Sequence, residues 1–266
     1  MQEPAIKEQS NPSHEADASC YDSYDYSTFW RGRDYEYHAD IIALKKFLRK
    51  IPATAPHEYI IDVGAGLGRL VPYYAPHFAK AIFLDPSVMQ LQRSQEALGK
   101  AYPHISFLQG TAQHIPLPDA SADVIVCVRV SHHIPDFIKP IEEFARVLKP
   151  GGYLILEIAN KIHMKSRVRA YMTGKQKELH SFVPAHVHMY KDTMTPFVNH
   201  HPQAIKQDLQ KAGFRVITHR SVSNLRSPLL KKIIPTFILI ALEYVSQHML
   251  VRWQFGPSVF FLAQKK

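Results

Sequence analysis

The sequence predicts an α/β protein organised around a doubly wound, mostly parallel sheet. Three observations carry this. Short apolar runs alternate with longer amphipathic stretches through Glu157, the rhythm of strand-helix-strand units. The run 59–63 is apolar on both sides, as in a strand covered on both faces. It ends in Gly64-Ala65-Gly66-Leu67-Gly68, a turn that leads into the next helix.

The elements follow in order. Residues 1–19 are polar without an apolar centre, so the expectation is a fraying tail rather than a signal peptide. Residues 1–39 read as this tail plus an aromatic-rich cover, and residues 40–266 as the main domain. Ile41, Leu44 and Leu48 repeat on one face of a helix over 40–50, with Phe47 beside them; Asp34, Glu36 and Asp40 precede it and Lys45, Lys46, Arg49 and Lys50 close it, matching the helix dipole. Strands are expected at 59–63, 81–85, 104–108, 123–130 and 153–157. Between the last two, a helix ends at Leu148 or Lys149, and Pro150-Gly151-Gly152 turns the chain. Pro202 and Gly213 bracket a further helix, followed by strands 214–218 and 258–263.

The glycine turn is the chemically informative part. Gly64, Gly66 and Gly68 lack a Cβ, which permits a tight turn and close ligand approach. The following helix presents free N–H groups and a positive dipole end. Its spacing is not that of a dinucleotide fingerprint, and no Lys follows Gly68 as a phosphate loop requires. Asp62 stands two residues before the first glycine. This Asp-x-Gly-x-Gly-x-Gly pattern resembles the first motif of class I S-adenosylmethionine-dependent methyltransferases.

Downstream segments resemble the same family in the same order. Asp85 ends the second strand, followed by Pro86 and Ser87, with a helix expected over 87–98. Thr111-Ala112-Gln113 follows the third strand, with Thr111 where the family often has Asp. Ser131-His132-His133 follows the fourth strand, and 144–157 is similar to the family's helix-turn-strand segment. The resemblance implies a Rossmann-like sheet of seven strands whose last strand runs antiparallel beside the fifth. It implies S-adenosylmethionine as cofactor: the glycines with Ala65 would make room, Asp62 would orient the turn, Asp85 with Pro86 would hold the ribose, and Thr111, Ala112, Gln113 and Val128 would line the adenine side. Asp85 could instead cap its helix, although Ser87 suits that role as well. His133 is the candidate general base; a structural His bonding a loop carbonyl is the other reading.

Residues 21–37 are dense in aromatics. Arg33 could pair with the methionine carboxylate, and Tyr26 or Trp30 could face the sulfonium; packing of the chain onto the domain is the alternative. Insertions at about 160–201 and 221–256 begin on the ligand side of the sheet and are expected to form a substrate lid. The apolar stretch 229–251 reads as a wall for a lipophilic substrate, a membrane-surface helix, a helix packed on the domain, or a dimer interface.

Composition narrows the classes. The chain has 266 residues, 46% hydrophobic and 21% charged, with a formal net charge of +9. Its Lys and Arg are dispersed, which argues against a nucleic-acid surface. The two cysteines form no disulfide framework, Cys127 reading as a buried hydrophobe, and the 16 His show no metal-ligand spacing. No apolar run is long enough to span a bilayer, so the expected location is cytoplasmic. The expected function is methyl transfer to a small organic acceptor, lipophilic or polar, through O, N or C, similar to the quinone-biosynthesis branch. RNA or protein methylation, and a non-catalytic cofactor-binding role, are the alternatives.

Overall fold

A computed structural model describes residues 30–186 and 197–266. Its core is a seven-stranded sheet in the order β3-β2-β1-β4-β5-β9-β8. The strands are β1 (Tyr59–Val63), β2 (Lys80–Asp85), β3 (Ile105–Gln109), β4 (Ala122–Cys127), β5 (Leu148–Ala159), β8 (Phe214–Val222) and β9 (Ser258–Lys265). β1 to β5 pair in parallel, and β9 inserts antiparallel between β5 and β8. This is the expected Rossmann-like α/β fold, with the last strand antiparallel beside the fifth.

Alternate side chains on each strand feed two cores, as a period of two requires. Ile60, Val124, Val126, Ile155 and Phe260 pack with α1 (Asp34–Leu48), α2 (Val71–Tyr74) and α3 (Val88–Leu98). Ile61, Ile125, Cys127, Leu154 and Phe261 pack with α4 (Ile138–Val147) and α7 (Pro202–Lys211). Every residue of β4 is buried, which suits a central strand covered on both faces. Each such Ile, Leu or Val contributes about 1.5–3 kcal/mol.

Three elements differ from the sequence reading. Helix α1 begins at Asp34, running through the boundary placed at residue 39, because Tyr35 and Ala39 are buried and extend its packed face. The helix after the glycine turn is a single turn, Val71–Tyr74, continued by a 3₁₀ turn at Ala75–His77. Pro72 and Pro76 remove the N–H groups that a longer helix needs, so little dipole points at the turn. The apolar stretch 229–251 is two helices, α8 (Pro228–Ile233) and α9 (Thr236–Met249), broken at Pro235.

The insertion after β5 holds α5 (Met164–Met172), α6 (Gln176–His180) and a small antiparallel pair, β6 (Ala185–His186) with β7 (Val198–Asn199), that the sequence did not announce. Asn160 stitches the two insertions together. Its side-chain amide donates to Gln254 O at 2.7 Å and Gly256 O at 2.8 Å. Lys161 Nζ donates to Ser181 O, Ser181 Oγ and Val183 O at 2.7–2.8 Å, tying down the chain after α6. Among the described residues no helix is long and apolar enough to cross a membrane.

Candidate functional site

The carboxyl ends of β1, β2 and β4 bring the predicted residues to one edge of the sheet, where ligands of open α/β sheets sit. All three glycines of the turn have positive φ, but only one faces open space. A Cβ on Gly64 would meet Val130 Cγ2 at 2.2 Å, and one on Gly68 would meet Leu98 Cδ1 at 2.4 Å. Those two positions make room for protein. At Gly66, with φ +53°, a Cβ would find nothing within 4 Å, so this is where a ligand can approach the backbone.

Asp85 is buried and joins the turn to the next helix. Its Oδ2 accepts from Gly66 N at 2.9 Å and its Oδ1 from Ser87 N at 3.0 Å. Ser87, not Asp85, caps α3, its Oγ accepting from Gln90 N at 3.1 Å. Gly64 N donates to Leu84 O at 2.7 Å and Ser94 Oγ donates to Gly66 O at 2.5 Å, which fixes the turn from both sides. Asp62 accepts from the Tyr74 hydroxyl at 2.8 Å. Burial pushes the Asp62 carboxyl up to about 7, against the lowering effect of that hydroxyl.

The remaining predicted residues divide. Ala65 donates its N–H to Leu84 O. The Pro86 carbonyl accepts from Gln109 Nε2 at 3.2 Å, keeping the end of β3 beside the Asp85 turn. Thr111 forms a tight turn with His114, with Gln113 half-buried beside it. The methyl of Ala112 and the side chain of Val128 are buried among core residues; their side chains serve packing. Trp30 lies against the Arg69 guanidinium at 4.2 Å, so its ring already holds a cation from the protein. Arg33 occupies the N-cap position of α1. Tyr26 lies outside the described residues, as do residues 1–19 and Cys20. Cys127 is fully buried and burial raises its thiol well above the usual range, which suits packing rather than chemistry.

His133 closes a 3₁₀ turn, Ser131–His133, just past β4. Its ring packs against His132, tilted by 47° with centroids 3.9 Å apart, and His132 in turn meets Phe197 at 4.6 Å. Burial first, then repulsion from His133, Arg129 and His200, drives the His132 pKa well below its usual value. His132 is therefore neutral near pH 7. His200 Nε2, just past β7, lies 2.9 Å from Ser131 O and braces this turn.

Sequence reasoning missed a charged cluster at the same edge. Asp40, fully buried on α1, accepts from Arg69 Nη2 at 2.8 Å and from Arg129 Nε and Nη2 at 3.0 and 2.9 Å. Arg129 follows β4 with φ +66°, a left-handed conformation costly for a non-glycine residue. Its backbone N–H donates to Glu157 Oε2 at 3.0 Å. Burial raises the Glu157 carboxyl despite Arg129. Arg69 Nη1 is buried with no hydrogen-bond partner among the described residues, an unsatisfied donor of a kind rare in folded proteins. The signal existed: a carboxylate on the apolar stripe of a helix, with Leu44 and Phe47, needs a buried partner.

A hollow of about 420 Å³ lined by Lys50, Tyr153, Arg215 and Gln264 lies at the opposite end of the sheet, where β5 begins. It holds none of these groups. No cluster of three or more His, Cys, Asp or Glu residues able to hold a metal occurs among the described residues.

Comparison with known proteins places this arrangement. Residues 61–156 match the family described as a methyltransferase domain. An uncharacterized methyltransferase, YcgJ of Bacillus subtilis, is 33% identical over 125 residues, covering 47% of this chain and 49% of that protein. The ubiquinone biosynthesis O-methyltransferase of Aliivibrio fischeri is 28% identical over 138 residues, covering 52% of this chain and 58% of its own length. The chain thus spans about half the length of these relatives. The crystal structure of Bacillus subtilis YcgJ superposes with a TM-score of 0.54 at 18% identity, over 84% of this chain and 98% of that one.

Proposed function

Because this chain carries a class I S-adenosylmethionine-dependent methyltransferase domain, we propose that it transfers a methyl group to a small organic, lipophilic acceptor at the edge formed by Gly66, Asp85 and Arg69. The observation that carries the cofactor assignment is the open face of Gly66 beside a buried carboxylate. The residues fit the cofactor. Asp85 accepts hydrogen bonds from ribose hydroxyls, a charge-assisted contact. The orphaned Arg69 Nη1 takes a carboxylate. The turn Thr111-Ala112-Gln113 borders the adenine through its backbone and the flanking side chains.

S-adenosylmethionine, when bound, supplies an electrophilic methyl group on a sulfonium. The protein's part is to align and to dry the site. A closed, water-poor site favours loss of charge as the reaction proceeds, and alignment supplies much of the rate. The insertions at about 160–201 and 221–256, cross-linked at Asn160, are the lid in this reading. His133 takes the acceptor's proton, while neutral His132 and the brace from His200 keep the turn in place. The likeness of the chain to a ubiquinone-biosynthesis O-methyltransferase supports a lipophilic acceptor.

Calorimetric titration of S-adenosylmethionine into the protein, beside Asp85→Ala, tests the assignment. Micromolar binding that weakens at least tenfold in the variant is expected, one lost charge-assisted contact being worth about 1.5–3 kcal/mol. A folded protein that binds no cofactor would overturn it. Methyl transfer from labelled cofactor into a lipid extract, and not into RNA or protein fractions, tests the acceptor class.

A further inference from the structure

Helix α9 is turned inside out. Its buried face carries Leu239, Glu243 and Gln247, spaced four apart. Glu243, fully enclosed, accepts from the Tyr35 hydroxyl at 2.5 Å, from Ser223 N at 2.8 Å and from Asn224 N at 3.0 Å. Gln247 Nε2 donates to Ala39 O at 2.8 Å. The helix is thus pinned to α1 and to the end of β8 by polar contacts. Its opposite face carries Ile238, Leu242, Val245 and Met249, which are 38, 48, 55 and 64% exposed. Their spacing of four, three and four is the stripe that a helix normally turns toward a core. Phe237, 72% exposed, and Trp253, just past the helix, extend the patch.

Lys231 of α8 is paired with Glu36 of α1 at 2.6 Å; the exposed charges of the segment itself have one sign. Across residues 228–253 Glu243 is the single acidic residue, and it is buried. Lys232 and Arg252 are exposed at the two ends, and Lys46 lies over the Tyr244 ring while donating to the Tyr244 carbonyl. A second copy docked face to face would set these cations together with no exposed acid from this segment to meet them. An anionic bilayer surface meets both features: its acyl boundary takes the apolar stripe, its headgroups take the cations, and Trp and Tyr favour the boundary between them.

We propose that the α8–α9 face docks on the surface of an anionic lipid bilayer, with α9 lying in the interface. This docking is independent of methyl transfer, since it needs neither cofactor nor acceptor.

Flotation with phosphatidylcholine vesicles, with and without phosphatidylglycerol, tests it. The wild-type protein is expected to float with the phosphatidylglycerol vesicles and to be released by salt. Leu242→Asn with Val245→Asn should abolish flotation with only a small drop in the thermal midpoint, because both side chains are about half exposed on the helix. Lys232→Glu with Arg252→Glu, an independent arm, should weaken binding to the anionic vesicles at least thirtyfold, from about 1 kcal/mol per cation lost. Three results would overturn the proposal: no flotation of the wild type, equal flotation of the wild type and the charge-reversed protein, or a dimer in sedimentation that the Asn variant converts to monomer.

Discussion

Arg129 grips Asp40 with two hydrogen bonds, Nε to Oδ2 at 3.0 Å and Nη2 to Oδ1 at 2.9 Å, across 89 positions of sequence. Arg69 adds a third, at 2.8 Å. One carboxylate therefore joins α1, the glycine turn and the end of β4. Asp40→Ala leaves two guanidiniums without their partner in a largely buried place. The expected loss is about 3–5 kcal/mol, read by urea denaturation; a loss below about 1 kcal/mol would show that the cluster is not a tie.

Glycine substitutions separate space from strain. Gly66→Ala should cost about 1 kcal/mol, the penalty of a left-handed Ala, and leave the fold intact, yet reduce cofactor affinity at least tenfold by filling the open face. Gly64→Ala should destabilise far more, because Val130 Cγ2 stands 2.2 Å from the new Cβ. Circular dichroism with calorimetric titration distinguishes the two. Equal binding by folded Gly66→Ala and wild type would remove the turn from the cofactor site.

The Asp62 carboxyl predicts a pH dependence. Its pKa is about 7 in the fold against 3.8 as the ordinary value. Between about pH 4 and 7 the fold holds a proton that the unfolded chain has released. Stability from this group is thus complete below about pH 4 and is lost as pH rises through 7, by roughly 4 kcal/mol at most. His132, held neutral, acts in the opposite sense, so the difference between wild type and Asp62→Asn is the readout. Thermal midpoints from pH 4 to 8 should show the variant gaining on the wild type as pH rises; a constant difference would mean that Asp62 stays ionised.

Glu243→Gln tests the latch beneath α9. The new amide N–H₂ replaces one carboxylate oxygen and so faces either Ser223 N or Asn224 N, leaving that buried N–H without its acceptor. A cost of about 1–3 kcal/mol follows, measurable as a lower thermal midpoint, with Tyr35→Phe giving a smaller drop in the same direction. A midpoint equal to wild type would show that the carboxylate is not needed there.

What was legible in the sequence was local. The glycine turn, the acid ending β2 and the Ser87 cap each lie within a few residues of the pattern that reveals them. The antiparallel strand beside β5 came from resemblance, not from periodicity. In the Asp40–Arg69–Arg129 cluster and the Glu243 latch the partners were not legible, because they come from distant segments and only tertiary packing brings them together. Trp30 reads from sequence either as a sulfonium partner or as packing for the chain; its ring lies 4.2 Å from the Arg69 guanidinium, a neighbour that only the folded turn reveals. The two prolines after the turn were visible, and their effect on helix length outweighed the motif's usual continuation.

The register of β8 and β9 has a consequence for how such a protein diversifies. Val222 stands directly opposite Ser258, so the chain leaves the sheet and re-enters it at neighbouring points. Everything between, α8 and α9 included, is in effect an oversized hairpin loop. It can be exchanged as a cassette for a short turn or another cap without moving a single sheet hydrogen bond, provided that the Tyr35 hydroxyl, the Asn160 amide and the Ala39 carbonyl are given new partners.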